Sequence, residues 1–264
     1  MQVNSSTSSL LSQVQEKQES LMEKLASGKK INNATDGAAA QQIIDRLTSE
    51  VEGNRQAVNN VYNGISVAQV AEGGLGSINS DVDRIRELTI QSGNGILSAG
   101  ERRAIQSEIT QLQENISQTI EQTNFAGKPL LSDNGSLNFQ AGASSEQSIS
   151  VQTQDIAAQL GGVLNIDITS GTSVNDALSA ADSALEIIGG ARGELGATQN
   201  RFESAARTLT QANVNTAEAR SRIQDLDFAQ ASSQRASNDV QSQAALAVQA
   251  QANQQEGQVL ALLN

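Results

Sequence analysis

Apolar residues recur at intervals of three and four over about fifty residues in the first half of the chain. The spaced positions between residues 41 and 91 are Ile44, Leu47, Val51, Val58, Val61, Ile65, Ala68 and Leu75, with Asn54 and Glu72 as polar interruptions. This spacing predicts one amphipathic helix of roughly 75 Å, because each helical residue rises about 1.5 Å. After Leu75 the pattern resumes at Ile78, Val82 and Ile85, and this three-then-three step predicts local overwinding of the helical seam.

A turn and a second amphipathic helix are predicted directly after the first. Gly93-Asn94-Gly95 is a turn signal, and Ser98 and Glu101 have the spacing of a capping box that begins a helix. A single apolar stripe follows at Ile105, Ile109, Leu112, Ile116 and Ile120. We expect this helix to fold back against the first.

Short alternating runs replace the helical periodicity from about Asn124 to Gly171, where Gly, Ser and Asn are frequent. Apolar and polar residues alternate in residues 137–140, 148–151 and 165–168. Alternation with a period of two is typical of strands, so we expect a few β-strands arranged in hairpins.

Helical periodicity returns after Thr172 and Ser173, which are placed to cap a helix that has Asp176 in its first turn. The apolar stripe of this helix consists of Val174, Leu178, Ala181, Leu185, Ile188, Leu195, Phe202, Ala206, Leu209 and Ile223. Polar residues occupy the other places of the stripe, namely Arg192, Gln199, Asn213, Thr216 and Arg220. A coiled coil prefers apolar residues there, so these five either set the register or face a polar partner surface.

Both ends of the chain are amphipathic but contain few large apolar residues. Their apolar positions are Leu10, Leu11, Val14, Leu21, Met22 and Leu25 at one end and Val240, Leu246, Val248, Val259, Leu260, Leu262 and Leu263 at the other. A single helix of this kind is marginal in water, because helix propensity rarely offsets a backbone entropy cost of about 1–2 kcal/mol per residue. Our hypothesis is that both ends are disordered in the monomer and become helical when they pair in an assembly.

The composition favours narrow helical seams and disfavours two classes of partner. Of the 264 residues 38% are hydrophobic but only 2% are aromatic, so apolar burial rests mainly on Leu, Ile, Val and Ala. The formal net charge of −12 would repel nucleic-acid phosphates and anionic lipid surfaces. We therefore expect neither nucleic acid nor a membrane as a partner.

The residue types present leave little room for catalysis. The chain has no Cys and no His, which excludes thiol nucleophiles, His bases, Ser–His triads and the usual zinc and iron sites. Paired carboxylates remain as a catalytic option, but Asp and Glu fall mostly at positions typical of solvated helix faces. We expect no enzyme and no catalytic, metal or cofactor residues.

No membrane-spanning segment is predicted, because the chain lacks an apolar run of about 18 residues. The first residues also lack the basic and then apolar pattern of a cleavable signal peptide. These observations leave open residence in the cytoplasm or export by a route that needs no such signal.

Several long segments, in order along the chain, resemble those of the bacterial flagellins. They are LASGKKINNATDGAAAQQI, YNGISVAQVAEGGLGSIN, VDRIRELTIQSGNG, NFAGKPLL, RGELGATQNRF, EARSRIQDLDFA and QANQQEGQVLALLN. Two features depart from the family pattern. The region between the helical ends is short, and residues 255–257 are Gln-Glu-Gly where the family commonly has Pro nearby.

The resemblance implies a mainly α fold, a long antiparallel coiled-coil rod with paired N- and C-terminal helices and a small β-hairpin region. Residues 1–37 and 223–264 would form an inner coiled-coil domain. Residues 38–123 and 172–222 would form an outer helical domain, and residues 124–171 the β-hairpin region.

The resemblance also implies a structural subunit that polymerises into the flagellar filament for motility. Such a subunit leaves the cell unfolded through the flagellar type III export channel and is part of an extracellular flagellum. Its expected partners are further copies of itself, an export chaperone that binds the C-terminal segment, the filament cap and the hook-junction proteins.

Two sets of residues are candidates for contacts with partners. The first set is expected to line the inner coiled coil between subunits, although the same stripe can also serve packing within one chain. It consists of Leu10, Val14, Leu21, Leu25, Leu246, Val259, Leu260 and Leu263.

The second set is Arg84, Leu88 and Glu108, which match the surface of similar flagellins that Toll-like receptor 5 recognises. Arg84 and Leu88 are four residues apart and share a helix face, so an exposed Leu flanked by an Arg and a Glu would form a small hot spot. The alternative is that these residues stabilise lateral contacts in the filament.

Three other functions compete with that of a filament subunit. A hook-filament junction protein shares the terminal architecture, but the stretches RELTIQSGNG and QANQQEGQVLALLN favour a flagellin. A metallopeptidase of the HExxH type is excluded because there is no His. A secreted host-binding ligand that does not assemble would form no long filaments in electron micrographs.

Overall fold

The structure is a computed structural model that describes residues 2–144, 146–169 and 173–263, with their side chains except those of residues 2–8, 10 and 256–263. The chain forms two compact units. The terminal unit comprises Met1–Val51 and Val214–Asn264, and the central unit comprises Glu52–Asn213.

Long helices dominate the described residues, which confirms the predicted mainly α class. The helices are α1 (Gln2–Ser27), α2 (Ala34–Ser92), α3 (Ala99–Gln122), α4 (Ile156–Gln159), α5 (Gly161–Leu164), α6 (Val174–Gln224) and α7 (Phe228–Leu263). The strands are β1 (Asn124–Phe125), β2 (Lys128–Pro129), β3 (Gly135–Gln140) and β4 (Ser148–Thr153). The division into five domain ranges stays a prediction.

Two of the predicted helix starts are confirmed in atomic detail. The amide of Glu101 donates to Ser98 Oγ at 3.3 Å and the amide of Ser98 donates to Glu101 Oε2 at 2.6 Å, so the capping box of α3 is complete. The amide of Asp176 donates to Ser173 Oγ at 3.1 Å, which caps α6. The other candidate cap, Thr172, lies outside the described residues.

In the central unit, α2 lies antiparallel to both α3 and α6. Arg84 is ion-paired with Glu108 on α3, and farther along α2 the carbonyl of Ser92 accepts from Arg102 near the start of α3. On the other side, Arg86 is ion-paired with Asp182 of α6. Because two helices cover α2 here, a continuous row of its side chains is buried.

The buried row of α2 keeps Val61, Ala68 and Leu75 of the predicted row, but each position between them lies one residue earlier than predicted. It consists of Ala57, Val61, Gly64, Ala68, Ala71, Leu75, Ile78, Val82 and Ile85, at alternating intervals of four and three. The predicted three-then-three step at Leu75 is therefore wrong, because the buried residue before it is Ala71 and not Glu72. Small residues at the seam let the helices approach closely but give a weak apolar signal.

The buried row of α6 shows the same substitution of small residues for large ones. It consists of Ala177, Ala181, Ala184, Ile188, Ala191, Leu195, Thr198 and Phe202. Arg192 and Gln199, which the stripe placed in the seam, lie beside it and both reach Glu72 of α2, at 3.9 Å and 2.8 Å. The polar interruptions of the two helices therefore face each other.

Strands β3 and β4 form an antiparallel hairpin that pairs Gly135 with Thr153 and Gln140 with Ser148. The strand predictions for residues 137–140 and 148–151 are thus confirmed. The rings of Phe139 and Phe202 make a T-shaped contact with centroids 5.6 Å apart, so the hairpin packs against the helices of the central unit.

The third predicted strand, residues 165–168, is wrong. Ile166 and Ile168 are buried, but their backbone is hydrogen-bonded by side chains of α3 instead of by a strand. Gln106 donates to the Ile166 carbonyl at 3.2 Å and accepts from the Ile168 amide at 2.8 Å, and Gln113 donates to the Ile166 carbonyl at 3.1 Å. The alternating pattern reflects burial against a helix. A strand and an extended segment can both produce this pattern.

Candidate assembly surfaces

Helices α1 and α7 pair in the terminal unit with antiparallel polarity. Gln18 of α1 donates to Asp239 of α7 at 2.5 Å, and nearer the connectors Lys29 forms an isolated bridge with Asp225. The pair places Leu21 beside Gln234 and Asn238, which line one groove with it. The prediction that the N- and C-terminal helices pair is therefore confirmed.

The predicted coiled-coil residues on this pair are only partly covered. Val14, Leu21 and Leu25 are half-buried, and Leu246 is 51% exposed. Leu10, Val259, Leu260 and Leu263 lie on the same two helices, but their side chains are outside the described residues. The described members of the set leave apolar area open to a partner.

The connectors next to α1 and α7 are held together by backbone hydrogen bonds. Helix α1 ends at Ser27, and the next residue, Gly28, has a φ of +69°, the left-handed conformation common just after a helix. The amide of Lys30 donates to the Gln224 carbonyl at 2.6 Å, and the amide of Leu226 donates to the Gly28 carbonyl at 3.0 Å. The two connecting segments are therefore paired with each other within the terminal unit.

Asp36 ties this N-terminal connector to α1. Its Oδ2 accepts from the backbone amides of Asn32 and Asn33 at 3.0 and 3.2 Å, and its Oδ1 lies 3.1 Å from the Lys24 ammonium. The Asn32 amide, then the Lys24 ammonium and the Asn33 amide, hold the pKa of Asp36 below its usual value because they stabilise the carboxylate. The charged form of Asp36 therefore holds the connector in place.

On the central unit, Arg84 and Glu108 form the centre of an exposed charge cluster. Arg84 donates from Nε and Nη2 to Glu108 Oε1 at 3.0 and 2.7 Å, and from Nη1 to Glu87 at 2.5 Å. Glu108, and then Glu87, raise the pKa of Arg84 because they stabilise the guanidinium. The structure thus brings together Arg84 and Glu108, on α2 and α3, as expected.

The third predicted member of this surface, Leu88, is not exposed. Only 1% of Leu88 is accessible, and it belongs to the hydrophobic core of the central unit. The expectation of an exposed Leu on the face of Arg84 is wrong, because a four-residue spacing turns Leu88 about 40° around the helix from Arg84, and at that position it is buried in the core. Leu88 therefore offers no contact area to a partner.

Exposed apolar residues of the central unit were missed at the level of sequence. Tyr62 and Ile90 on α2 are both more than half exposed, and Ile96 in the turn after α2 is 88% exposed. A signal was present for Ile96, which stands alone among turn residues and fits neither helical stripe.

The described residues offer no group of three or more Asp, Glu, His or Cys side chains suited to a metal ion. A core cavity lined by Leu75, Leu131, Ile156 and Leu195 holds about 20 Å³, which is room for one water molecule. Among the described helices, none is both long and apolar enough to cross a membrane.

Comparisons with known proteins match most of the chain. The family model of the bacterial flagellin N-terminal helical region matches residues 1–136, and that of the bacterial flagellin C-terminal helical region matches residues 178–263. The flagellin of Halalkalibacterium halodurans is 37% identical, with 92% of this chain and 90% of the relative covered. The flagellin of Bacillus subtilis is 35% identical, with 92% and 91% covered.

A third relative, the flagellar filament 30.7 kDa core protein of Treponema maltophilum, is 35% identical with 92% of this chain and 91% of the relative covered. Among solved structures, Bacillus cereus flagellin has a TM-score of 0.53 at 22% identity and covers 61% of this chain and 94% of its own. A putative flagellar hook-associated protein from Vibrio parahaemolyticus has a TM-score of 0.63 at 13% identity, covering 72% of this chain and 100% of its own. At these identities the two structures show a shared fold alone.

Proposed function

This chain belongs to the bacterial flagellin family, and from that premise we propose that its terminal unit joins one subunit to the next. The chain is a structural subunit of the bacterial flagellar filament, which is extracellular and serves motility. The finer question is which residues carry assembly.

The partial burial of the α1 and α7 pair supports this proposal. Val14, Leu21 and Leu25 are half-buried by α7, and Leu246 exposes half of its surface. Burial of apolar surface contributes about 25 cal/mol of free energy per Å², which would favour the packing of further helices against the pair. Leu10, Val259, Leu260 and Leu263 complete the proposed surface on the same helices.

Seeded polymerisation of two matched variants tests which face of α7 carries assembly. Leu246 and Val248 are 51% and 52% exposed on one helix, but they point about 200° apart. Loss of one buried Leu costs about 1.5–3 kcal/mol, so Leu246→Ser is expected to raise the critical concentration about tenfold or more. Val248→Ser should change it little. Equal effects of the two substitutions, or no effect of Leu246→Ser, would contradict the proposed face.

The same shallow burial supports a proposal about export. We infer that the terminal helices are disordered in the monomer and become helical in the filament. Such a chain could pass unfolded through the flagellar type III channel, with a chaperone on its C-terminal segment, and assemble under the filament cap on hook-junction proteins. Co-purification of the chaperone with the full chain, and its loss on removal of residues 235–264, would test the chaperone contact.

We also infer that the charge cluster of Arg84 and Glu108 is the part of the central unit that Toll-like receptor 5 would contact. Both side chains are close to half exposed, whereas Leu88 is buried. A reporter-cell assay with monomer should lose signal for Arg84→Ala and for Glu108→Ala, whereas Arg207→Ala, in an ion pair on α6, should keep it. The proposal fails if wild-type monomer gives no signal or if both cluster variants signal normally.

Filament growth separates the filament subunit from the hook-filament junction protein. A subunit extends seeds to lengths that increase with the amount of protein added, whereas a junction protein adds a short segment and stops. Electron micrographs of seeded reactions measure this length directly.

A further inference from the structure

The chain contains three Asn-Gly pairs, Asn63-Gly64, Asn94-Gly95 and Asn134-Gly135. In this dipeptide the backbone nitrogen of Gly can attack the side-chain carbonyl carbon of Asn, because no Cβ hinders the approach. The attack needs a free Gly amide and a backbone that can bend. The three pairs differ in both respects.

Asn94-Gly95 lies in the exposed turn between α2 and α3. Within the part of the chain that the structure describes, the Gly95 amide donates no hydrogen bond, whereas the neighbouring amides of Asn94 and Leu97 donate to Gln91 and Asn94. Asn94 Oδ1 accepts from the Ile96 amide at 3.2 Å. This contact lies within the exposed turn and leaves the attacking group, the Gly95 nitrogen, without a hydrogen bond among the described residues.

Asn63-Gly64 is held in the interior of α2. The helix engages the Gly64 amide in a hydrogen bond four residues back and fixes the backbone of Asn63. Gly64 is also buried against the ring of Phe202, where an added Cβ would lie 2.4 Å from Cζ. Reaction at this pair requires the helix to open.

Asn134-Gly135 is held at the start of β3. The amide of Ala141 donates to the Gln147 carbonyl, and counting alternate pairs from there makes Gly135 and Thr153 a hydrogen-bonded pair. Asn134 Oδ1 also accepts from the Asp155 amide at 3.0 Å. Both reacting groups are therefore engaged.

We propose that Asn94 is a site of spontaneous modification, at which the protein converts Asn to Asp and isoaspartate without an enzyme. The Gly95 nitrogen loses its proton to water or hydroxide and bonds to Asn94 Cγ, and the bond from Cγ to Nδ2 breaks and releases ammonia. Water then opens the cyclic imide at either carbonyl. The net reaction consumes one water and releases one ammonia.

The product places a new carboxylate beside the exposed Ile96, in a turn where nothing stands within 4 Å of an added Cβ at Gly95. The isoaspartate product also lengthens the main chain by one carbon between α2 and α3. Because the pair is exposed and open, neither change requires the helices to move apart.

Peptide mapping of the full-length chain in mildly alkaline buffer tests the proposal and does not depend on filament assembly. Samples are taken over days, native and in guanidinium, and fragment spectra assign the amide-to-acid mass change to each Asn. In the native chain Asn94 should react at least about tenfold faster than Asn63 and Asn134. Opening a packed helix or hairpin costs more free energy than a tenfold difference in rate represents. In guanidinium the three rates should converge.

A substitution supplies the second test. Gly95→Val, which the open space at Gly95 accommodates, should slow modification of Asn94 severalfold without changing the far-ultraviolet spectrum of the chain. The proposal is overturned if native Asn63 or Asn134 reacts as fast as Asn94, or if Gly95→Val leaves the Asn94 rate unchanged.

Discussion

The central and terminal units use the same kind of amphipathic helix but bury it to different depths. In the central unit Ile78, Val82 and Ile85 of α2 are fully buried, because α3 lies on one side and α6 on the other. In the terminal unit, Leu21 of α1 and Leu246 of α7 are half-buried and half exposed. Two neighbouring helices cover the whole apolar face of a helix, whereas one neighbouring helix leaves half of that face exposed.

The difference teaches which unit can hold itself together and which needs partners. A seam covered on both sides provides its apolar burial within one chain. A pair of helices that buries half of its stripe gains less, against the same backbone entropy of about 1–2 kcal/mol per residue. Under the proposed function this division would benefit a filament subunit, because the terminal unit would stay incomplete until further subunits arrive.

The largest expected contrast is in amide hydrogen exchange of dilute monomer. Amides of residues 61–88 should exchange only through global unfolding, which costs of order 5–15 kcal/mol. Amides of residues 1–30 and 235–264 should exchange with little protection. Strong protection in both terminal segments would show that the α1 and α7 pair is stable alone, and the comparison between the units would collapse.

Truncation of one large side chain in each unit should give the next largest difference. Phe202 is fully buried and touches Phe139, so Phe202→Ala should lower the free energy of unfolding by about 3–5 kcal/mol. Leu246→Ala should cost the monomer less than about 1 kcal/mol, since half of the side chain is already in water. Denaturant titration of dilute monomer measures both, and similar losses would refute the contrast in burial.

A smaller effect is expected from adding one methyl group to the seam of α2. Gly64→Ala would place Cβ 2.4 Å from Phe202 Cζ, so it should destabilise the central unit by about 1–3 kcal/mol. Gly73→Ala is the matched control, because its Cβ meets nothing within 4 Å and should stabilise the helix by about 0.5–1 kcal/mol. The close approach of α2 and α6 would be disproved if both variants were stabilised.

The smallest expected effect is a dependence on pH in the terminal unit. Asp36 has a pKa below its usual value in the folded chain, so its contribution is complete above the usual carboxyl pKa and is lost as pH falls through the lowered pKa. Amide chemical shifts of Asn32 and Asn33 should follow this titration, and Asp36→Asn should abolish it.

The control for this titration is Asp45→Asn, because Asp45 accepts from the Gln41 side chain and from no backbone amide of the connector. Its substitution should leave the shifts of Asn32 and Asn33 unchanged. If Asp45→Asn removed the titration or Asp36→Asn preserved it, the connector would not be held by Asp36.

Local features of the fold were predictable wherever neighbouring residues decide the structure. The cap at Ser98 and the stripe of α3 follow from contacts three and four residues apart, and both are confirmed. The hairpin of β3 and β4 follows from alternation and is confirmed too. The failures at residues 165–168 and at Leu88 involve tertiary packing, with Gln106 as the partner in one case and the core of the central unit in the other.

The candidate surfaces divide in the same way. Sequence alone located the terminal stripe, and the resemblance to flagellins named Arg84 and Glu108 together, on helices expected to fold back against each other. It could not show that Leu88 is buried or that Asp36 holds the Asn32 and Asn33 amides. Exposure and hydrogen bonding depend on which element covers a residue.

By itself, the sequence determined that this protein is built from long helices with a small hairpin, and its motifs identified the family. Only the tertiary structure decided which residues form the seams. Ala71 and Gly64 are small and give little apolar signal, yet they are buried because α6 approaches closely enough to place Phe202 against Gly64. Periodicity records which side chains avoid water, whereas the seam is fixed by how closely two backbones can meet.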